Sequence, residues 1–523
     1  MTTLPSDLPV VVDRAGAEPL AVQISAQLQA AVTGGALHAG DRLPSSRDLA
    51  ATLGVSRTVV TNAYARLFAE GWLEGRHGSG TYVADVMPAA IQSADGRDTG
   101  TWKSSASVVT AKPAASPRED TGGYGGASTR EIAVSWAPDT MAPFAIGRPT
   151  HGGYGGSSPR EIDLQPGISW AEGIDEAAWR RAWRQAGTHL PSRMPDPYGL
   201  PELRAEIAAY LRRSRGLTVT PAHVLVTQGT SSGLALLADA VLRPGDKAGI
   251  EEPGYPTGRE VLSRAGAQVV PCRIDAHGIV PDELPGDLRL LYTTPAHQYP
   301  LGGRLPVSRR QALIGWARES GALVVEDDYD SEFRYDVGSL PAMHSMDRDV
   351  IVYLGTASKV LATAFGAGWL VAPPALVDQL AALRPRLGVR IPEPVQWAVL
   401  ALLASGDLER HVRKMRLEYA RRRAALVDGL VHASPGQGEA GRVPFRLLGD
   451  TAGMHVVLEL PDGYPAGRLV DAAAARGVAV YTLDRYYAGE PTMNGLILGY
   501  GTATLPQVRR AATELARLLT RLP

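Results

Sequence analysis

The chain lacks the features that would place it outside the cell or within a membrane. It has one cysteine, Cys272, so an intrachain disulfide is excluded and a reducing compartment is expected. Beside a strand-like segment, that thiol reads as a small buried apolar group. The N-terminus has no basic start followed by an apolar stretch, which argues against a secretory signal. The longest apolar runs, residues 234–242 and 398–404, are too short to cross a bilayer. Net charge is also missing: 53 Lys and Arg face 54 Asp and Glu, so bulk electrostatics neither attract nor repel nucleic acid. A cytoplasmic protein of two or three domains, with no membrane partner, is expected from 523 residues of this composition.

Large apolar residues thin out over residues 85–161, where Ala, Ser, Gly, Thr and Pro dominate, as in flexible linkers. Within this stretch a segment at 122–132, opening Gly-Gly-Tyr-Gly-Gly and ending Arg-Glu-Ile, recurs at 152–162. Two copies read as a duplicated linker piece and not as a solenoid. Residues 15–84, before the linker, show helical periodicities and a glycine-punctuated β segment. Residues 162–523, after it, alternate strands at 223–227, 247–251, 267–271, 288–293, 322–326, 350–354 and 368–372 with helical stretches such as 201–213 and 232–242. Several of these strands are continuous apolar runs, as expected where helices cover both faces of a sheet. Long helices at 395–403 and 408–430 then lead to strands near 454–460 and 495–500. The pattern predicts a multidomain protein: a mostly α N-terminal domain with a β wing, a linker, and an α/β domain with a large subdomain over about 190–385 and a small α+β subdomain over about 386–523.

In the N-terminal block Val22, Ile24, Leu28 and Val32 recur at roughly helical spacing. Ser45 with Asp48 forms a capping box, Gly54 stops that helix, and Ser56 caps the next. Two short helices joined by a glycine turn give helix-turn-helix geometry. Val60, Ala63, Tyr64 and Leu67 mark the inner face of the second helix, leaving Arg57, Thr58 and Thr61 outward, where a recognition helix meets DNA. Residues 71–83 read as a hairpin wing whose Gly78 and Gly80 let the backbone lie close to a phosphate. Residues 1–84 hold six arginines, seven acids and no lysine, so binding depends on gathering Arg42, Arg47, Arg57, Arg66 and Arg76 on one face. The candidate contacts to double-stranded DNA are Arg42, Ser46, Arg47, Ser56, Arg57, Thr58, Thr61 and Gly80. The stretches 43–50, 55–57, 63–67, 70–71 and 78–83 together resemble the winged helix of GntR-type bacterial regulators.

In the α/β domain, Lys359 closes the run Gly355-Thr356-Ala357-Ser358 on a hydroxyl-rich turn after a strand. Gly229-Thr230-Ser231 follows another strand and opens a helix, whose N-terminus offers free amides to a phosphate. Tyr255 lies on a proline-stiffened turn and suits stacking, and His297 brings a polar group after a third strand. Asp327 and Tyr329 end a fourth. An amine for a Schiff base, hydroxyls for a phosphate and a buried acid for a pyridine nitrogen are what pyridoxal 5'-phosphate (PLP) requires. Each acid or tyrosine alone is better explained as a turn or core residue; the ordered set is what points to the cofactor.

The stretches 198–204, 252–256, 294–302, 326–333 and 355–359 resemble fold type I aminotransferases, the PLP-dependent transferases, and their union with a winged helix resembles the MocR subfamily of GntR regulators. The resemblance implies that Lys359 forms the Schiff base with PLP and that Asp327 meets the ring nitrogen. It implies that Tyr329 meets the ring hydroxyl, that Tyr255 stacks, and that Gly229, Thr230, Thr356 and Ser358 surround the phosphate, with Ser231 and His297 as further cofactor contacts. It also implies a homodimer built head to tail, with sites near the subunit interface.

Three departures from that pattern bear on function. Gly366 stands seven residues after Lys359, where the family usually has an arginine on the phosphate, which predicts weaker PLP retention. Ser231 and Ser232 stand where glutamines are common. Residues 486–508 contain no arginine, so a substrate carboxylate lacks its usual clamp and transamination is disfavoured. The expectation is therefore a PLP-responsive transcriptional regulator that binds an operator, its aminotransferase-like domain sensing PLP or an amine or amino acid, and not an enzyme. The alternatives are an active aminotransferase with a fused DNA-binding domain and a regulator whose degenerate pocket senses another ligand.

Overall fold

Three helices, α1 (Leu20–Thr33), α2 (Ser46–Leu53) and α3 (Arg57–Glu70), precede a hairpin of β1 (Leu73–Arg76) and β2 (Gly80–Val83). They come from a computed structural model of the protein that describes residues 10–15, 18–76, 80–84, 162–335, 341–432, 444–449 and 452–521. The expected linker 85–161, with its repeat, and Gly78 in the wing lie outside these residues. Ser45 caps α2 as its spacing to Asp48 predicts: its Oγ accepts from the Asp48 N–H at 3.2 Å and donates to the Asp48 carboxylate at 2.7 Å. Gly54 ends α2 with a φ of 63°, the left-handed conformation that favours glycine. Ser56 precedes α3 but makes no side-chain cap bond. Ile24, Leu28, Leu49, Val60, Ala63, Tyr64 and Leu67 pack into one core, so the inner face of α3 is the one its periodicity predicts.

The chain re-enters at β3 (Ile162–Asp163) and builds the large subdomain on eight strands. These are β4 (Val224–Thr227), β5 (Lys247–Glu252), β6 (Gln268–Asp275), β7 (Gly278–Ile279), β8 (Leu288–Thr293), β9 (Leu323–Asp328), β10 (Ile351–Thr356) and β11 (Gly368–Val371). Their spatial order is β4-β11-β10-β9-β8-β5-β6-β7. Strands β6, β5, β8, β9 and β10 run parallel, while β11 is antiparallel between β10 and β4. All seven expected strands are present, and β7 is added as a two-residue return on β6. The helices α4 (Glu176–Ala186), α5 (Pro201–Arg215), α6 (Thr230–Val241), α7 (Pro256–Arg264), α8 (Val307–Ser320), α9 (Pro374–Leu383) and α10 (Glu393–Ala404) supply the apolar partners of the sheet. Because β4, β9 and β10 point the same way, their carboxyl ends share one edge, where such sheets bind ligands.

The 26-residue helix α11 (Asp407–His432) leads into the small subdomain. There β12 (Arg446–Leu448), β13 (His455–Glu459), β15 (Tyr481–Thr482) and β16 (Gly495–Gly499) form an antiparallel sheet in the order β12-β13-β16-β15, and α12 (Ala466–Ala474) and α13 (Leu505–Arg521) pack with it. Strand β14 (Val478–Ala479) pairs in parallel with β3. Residues 162–163 thus return to the small subdomain, a pairing across more than 300 residues that a two-residue strand cannot announce in sequence. Among the described residues no helix is long and apolar enough to cross a membrane.

Candidate functional site

The edge where β4, β9 and β10 end brings together the segments singled out around Lys359. Gly368, at the start of β11, faces Thr227 and Thr356 across the two neighbouring strands. A Cβ there would stand 2.7 Å from Gly229 Cα, so the absence of a side chain lets the two turns close on each other. Gly229 caps α6 with a φ of 120°. Its Cβ position lies 3.8 Å from Ser358 Oγ and 4.0 Å from Thr356 Oγ1. Thr356 Oγ1 accepts from the Ser358 N–H at 2.9 Å and donates to Ala367 O at 3.2 Å. Thr230 begins α6, and Ser231 Oγ lies 3.2 Å from the Tyr255 hydroxyl. The result is a cup of hydroxyls at a helix N-terminus, which favours an anion. Gly366 borders it, with Gln228 O 3.9 Å from its Cβ position.

Lys359 follows Ser358 of this cup in the chain and donates from Nζ to Gly167 O. Burial lowers its pKa, while the charges of Asp327 and Asp330 oppose the shift. Asp327 lies on the face of β9 that also carries Val325, and Tyr292 on β8 pairs with Val325. Tyr292 and Asp327 are therefore diagonal neighbours, and the tyrosine hydroxyl donates to Oδ2 at 2.5 Å. Asp327 Oδ1 is buried with no hydrogen-bond partner. Burial pushes this carboxyl up to about 7, against the pull of the Tyr292 and Thr230 hydroxyls. Its neighbour Asp328 turns the other way, to Arg215 at 2.5 Å and the Tyr353 hydroxyl at 2.8 Å. Burial raises the Asp328 carboxyl, but Arg215 and the Ser331 and Tyr353 hydroxyls together outweigh it and hold it low. Of the two adjacent acids, only Asp327 keeps an oxygen to spare for a ligand.

An aromatic wall stands beside these groups. The Tyr299 ring lies 5.4–6.0 Å from those of Tyr255, Tyr329, Tyr486 and His455. Tyr255 also faces Tyr292 at 6.3 Å with 23° between planes. The Tyr329 hydroxyl lies 3.0 Å from His297 Nδ1, which is also 3.0 Å from Asp330 Oδ2. His297 Nε2 is buried without a hydrogen-bond partner. Burial lowers His455 to about 4, so that ring is neutral at ordinary pH. Tyr292, Asp330 and Gly167 were not among the sequence candidates. None carried a signal in the sequence alone, since strand parity places Tyr292 on the face of Asp327 only through the register of β8 on β9.

These residues fit PLP on structural grounds. A buried oxygen of Asp327 is unmatched, the Lys359 amine has a depressed pKa, and the turn at Gly229 brings the Thr356 and Ser358 hydroxyls to the N-terminus of α6. The ten cofactor candidates fall on this one edge or the loops that enclose it.

The DNA candidates lie on the opposite kind of surface. Arg42, Arg47, Ser56, Arg57, Thr58, Thr61 and Gly80 are exposed, and Ser46 is half-buried. Arg42, Ser46, Thr61 and Gly80 line one cleft of about 420 Å³ between α3 and the wing. Gly80, at a φ of 125°, sits against the Arg42 guanidinium, and Arg57 Nε donates to Ser46 Oγ at 3.3 Å. Arg66 departs from expectation, since it pairs with Glu70 at 2.9 Å, and the side chain of Arg76 lies outside the described residues.

Residues 20–83 match the bacterial regulatory proteins of the gntR family, and residues 171–487 match aminotransferase class I and II. The HTH-type pyridoxine biosynthesis transcriptional regulator PdxR of Corynebacterium glutamicum is 33% identical over 515 residues, covering 98% of each chain. The probable rhizopine catabolism regulatory protein MocR of Rhizobium meliloti is 32% identical over 523 residues, covering 97% of this chain and 95% of that one. Among solved structures, the α-aminoadipate aminotransferase LysN of Thermus thermophilus, complexed with N-(5'-phosphopyridoxyl)-L-leucine, superposes with a TM-score of 0.63 at 25% identity, covering 72% of this chain and 96% of that one. An archaeal alanine:glyoxylate aminotransferase gives 0.63 at 26% identity, covering 69% and 90%. With both domains matched and whole-length regulators as relatives, the chain belongs to the MocR-type GntR family of DNA-binding transcriptional regulators, which join a winged helix to a fold type I aminotransferase domain.

Proposed function

We propose that this regulator holds PLP at Lys359 and that the bound cofactor changes how its winged helix engages an operator. The observation that carries the reading is the unmatched buried oxygen of Asp327 in the same enclosure as the Lys359 amine and the cup formed by Gly229, Thr356 and Ser358. When bound, PLP supplies an aldehyde that reacts with amines and a ring that withdraws electrons. The depressed pKa of Lys359 keeps its amine available as a nucleophile. Asp327 would hold a proton on the ring nitrogen, Tyr329 would donate to the ring hydroxyl, and Tyr255 would cover the ring. Thr230, Ser231 and the amides at the start of α6 would meet the phosphate, with His297 closing the ring edge. On the winged helix, Arg57, Thr58 and Thr61 would read the major groove, and Arg42, Ser46, Arg47, Ser56 and Gly80 would meet the backbone.

The active form we propose is a cytoplasmic homodimer, head to tail, responding to PLP or to an amine or amino acid captured by it. Leu190 and Met194 are 90% and 84% exposed on a loop that packs against the start of α10 through the Ser192 N–H to Glu393, 2.8 Å. Apolar side chains presented this way suit a second copy. PLP must bind one arrangement of the protein better than another to alter DNA affinity, and such couplings are typically about 5- to 150-fold. Titrating purified protein with PLP by visible absorbance, then measuring operator affinity with and without PLP, tests the reading. No PLP absorbance, or sustained turnover with an amino acid and a 2-oxo acid, would count against it.

A further inference from the structure

The winged helix and the large subdomain belong to one compact unit, and they meet along a seam with a buried arginine at its centre. Val307, the first residue of α8, is part of the winged-helix core, and Met346 packs against that core. Gly71 ends α3 in the left-handed conformation, so close to the loop before α8 that a Cβ would stand 3.3 Å from Pro306 Cβ. One turn into α8, Arg310 is 7% exposed and donates from Nε to Leu305 O at 2.9 Å and from Nη1 to Pro341 O at 3.0 Å. Burial lowers its pKa, and the charges that oppose this most are those of Glu326 and Glu70.

These two carboxylates come from different domains. Glu70 is the last residue of the recognition helix α3, and with Arg310 it lines a cavity of about 20 Å³, the size of one water. Glu326 is on β9, next to Asp327, and strand alternation turns the two side chains to opposite faces. While Asp327 faces Lys359, Glu326 accepts the Met343 and His344 N–H groups at 2.8 Å each. The turn it holds, Met343–Ser345, is flanked by Ala342 and Met346, and these line the same cavity as Glu70. Burial raises Glu326 to about 7, against the pull of Arg310, and raises Glu70 as well, against its ion-pair partner Arg66 first and Arg310 second. Glu70 thus has Arg66 as its ion pair and Arg310 across the cavity, while Arg310 holds Pro341 O beside the turn that Glu326 fixes, so a change at either carboxylate alters the setting of the guanidinium.

We propose that Arg310 is a positioning residue that couples the cofactor strand β9 to the recognition helix, standing between the loop 341–345 that Glu326 and its own bond to Pro341 O hold on one side and Glu70 across the shared cavity on the other. This deepens the regulatory reading above and rests on it. The seam gives the winged helix one preferred seating on the large subdomain, and a shift of β9 caused at Asp327 moves Glu326, hence Arg310, hence the end of α3.

The test is the ratio of operator affinities with and without PLP, measured on full-length wild type, Glu70→Gln and Arg310→Met, with melting temperature and cofactor absorbance recorded for each. Glu70→Gln keeps the shape and removes the charge at the domain edge, so it decides the matter if Arg310→Met fails to fold. The ratio is expected to be at least about fivefold in wild type and to fall within about twofold of unity in both variants, with absorbance unchanged. A folded variant that keeps the wild-type ratio overturns the seam and leaves the regulatory reading standing. A wild-type ratio of one overturns the regulatory reading, and this proposal with it.

Discussion

The winged helix and the cofactor edge carry their charges in opposite settings. Arg42, Arg47 and Arg57 stand exposed, whereas Asp327, Glu326 and Asp330 are buried and Lys359 is enclosed beside them. Exposed cations act on a polyanion by releasing counterions, and salt screens them. Enclosed groups respond through their pKa and their hydrogen-bond partners. The comparison teaches that one protein should answer to salt at one end and to pH at the other, with the seam at Arg310 proposed as the link.

The largest test of the comparison is Lys359→Ala, which should abolish the visible absorbance of bound PLP while operator affinity without PLP stays within about twofold of wild type, because the coupling operates only through bound effector. Retained absorbance would separate the lysine from the cofactor. Next, Arg57→Ala should weaken operator binding by about 1–3 kcal/mol, roughly 5- to 150-fold, and reduce the salt slope by about one if it meets a phosphate. PLP affinity should not change in that variant, and a parallel loss of both would erase the division between the two ends.

A smaller effect concerns pH. In the folded, cofactor-free protein Asp327 and Glu326 keep their protons up to about 7, against ordinary values of 3.8 and 4.5. The unfolded chain ionises them earlier, so the stability they favour is complete below those ordinary values and is lost as pH rises through about 7. Cofactor-free protein should melt a few degrees lower at about pH 7.5 than at about pH 5, and Asp327→Asn should shrink the drop. An equal drop in wild type and variant would remove Asp327 from the account. The smallest effect expected is that of Gly366→Arg. A charge-assisted bond to phosphate contributes about 1.5–3 kcal/mol, offset by about 1–2 kcal/mol for a side chain at a φ of 56°. PLP should bind a few-fold more tightly by spectroscopic titration, and unchanged or weaker binding would show that the site is already anchored without that arginine.

Legibility in the sequence followed the range of the interaction. The seven expected strands, most of them buried, the Ser45 cap and the Gly54 stop were readable because strand patterns and cap residues act within a few positions. Lys359, Asp327 and Gly229 were readable as members of an ordered set, each at the end of a strand. The Tyr292 hydroxyl on Asp327 was not, because it depends on how β8 registers on β9. Arg66 was misplaced because its partner Glu70 looks like an ordinary helical pair until α8 lies behind it. The seam at Arg310 joins residues 240 positions apart from Glu70 by packing alone, and no local pattern marks it. The pairing of β3 with β14 fails for the same reason.

The most direct test of the central claim, that a cofactor held at one end sets DNA binding at the other, is operator affinity measured with and without PLP in wild type and Lys359→Ala. The account predicts a change of at least about fivefold in wild type and none in the variant. An affinity indifferent to PLP in both proteins, or an equal response in both, would contradict it.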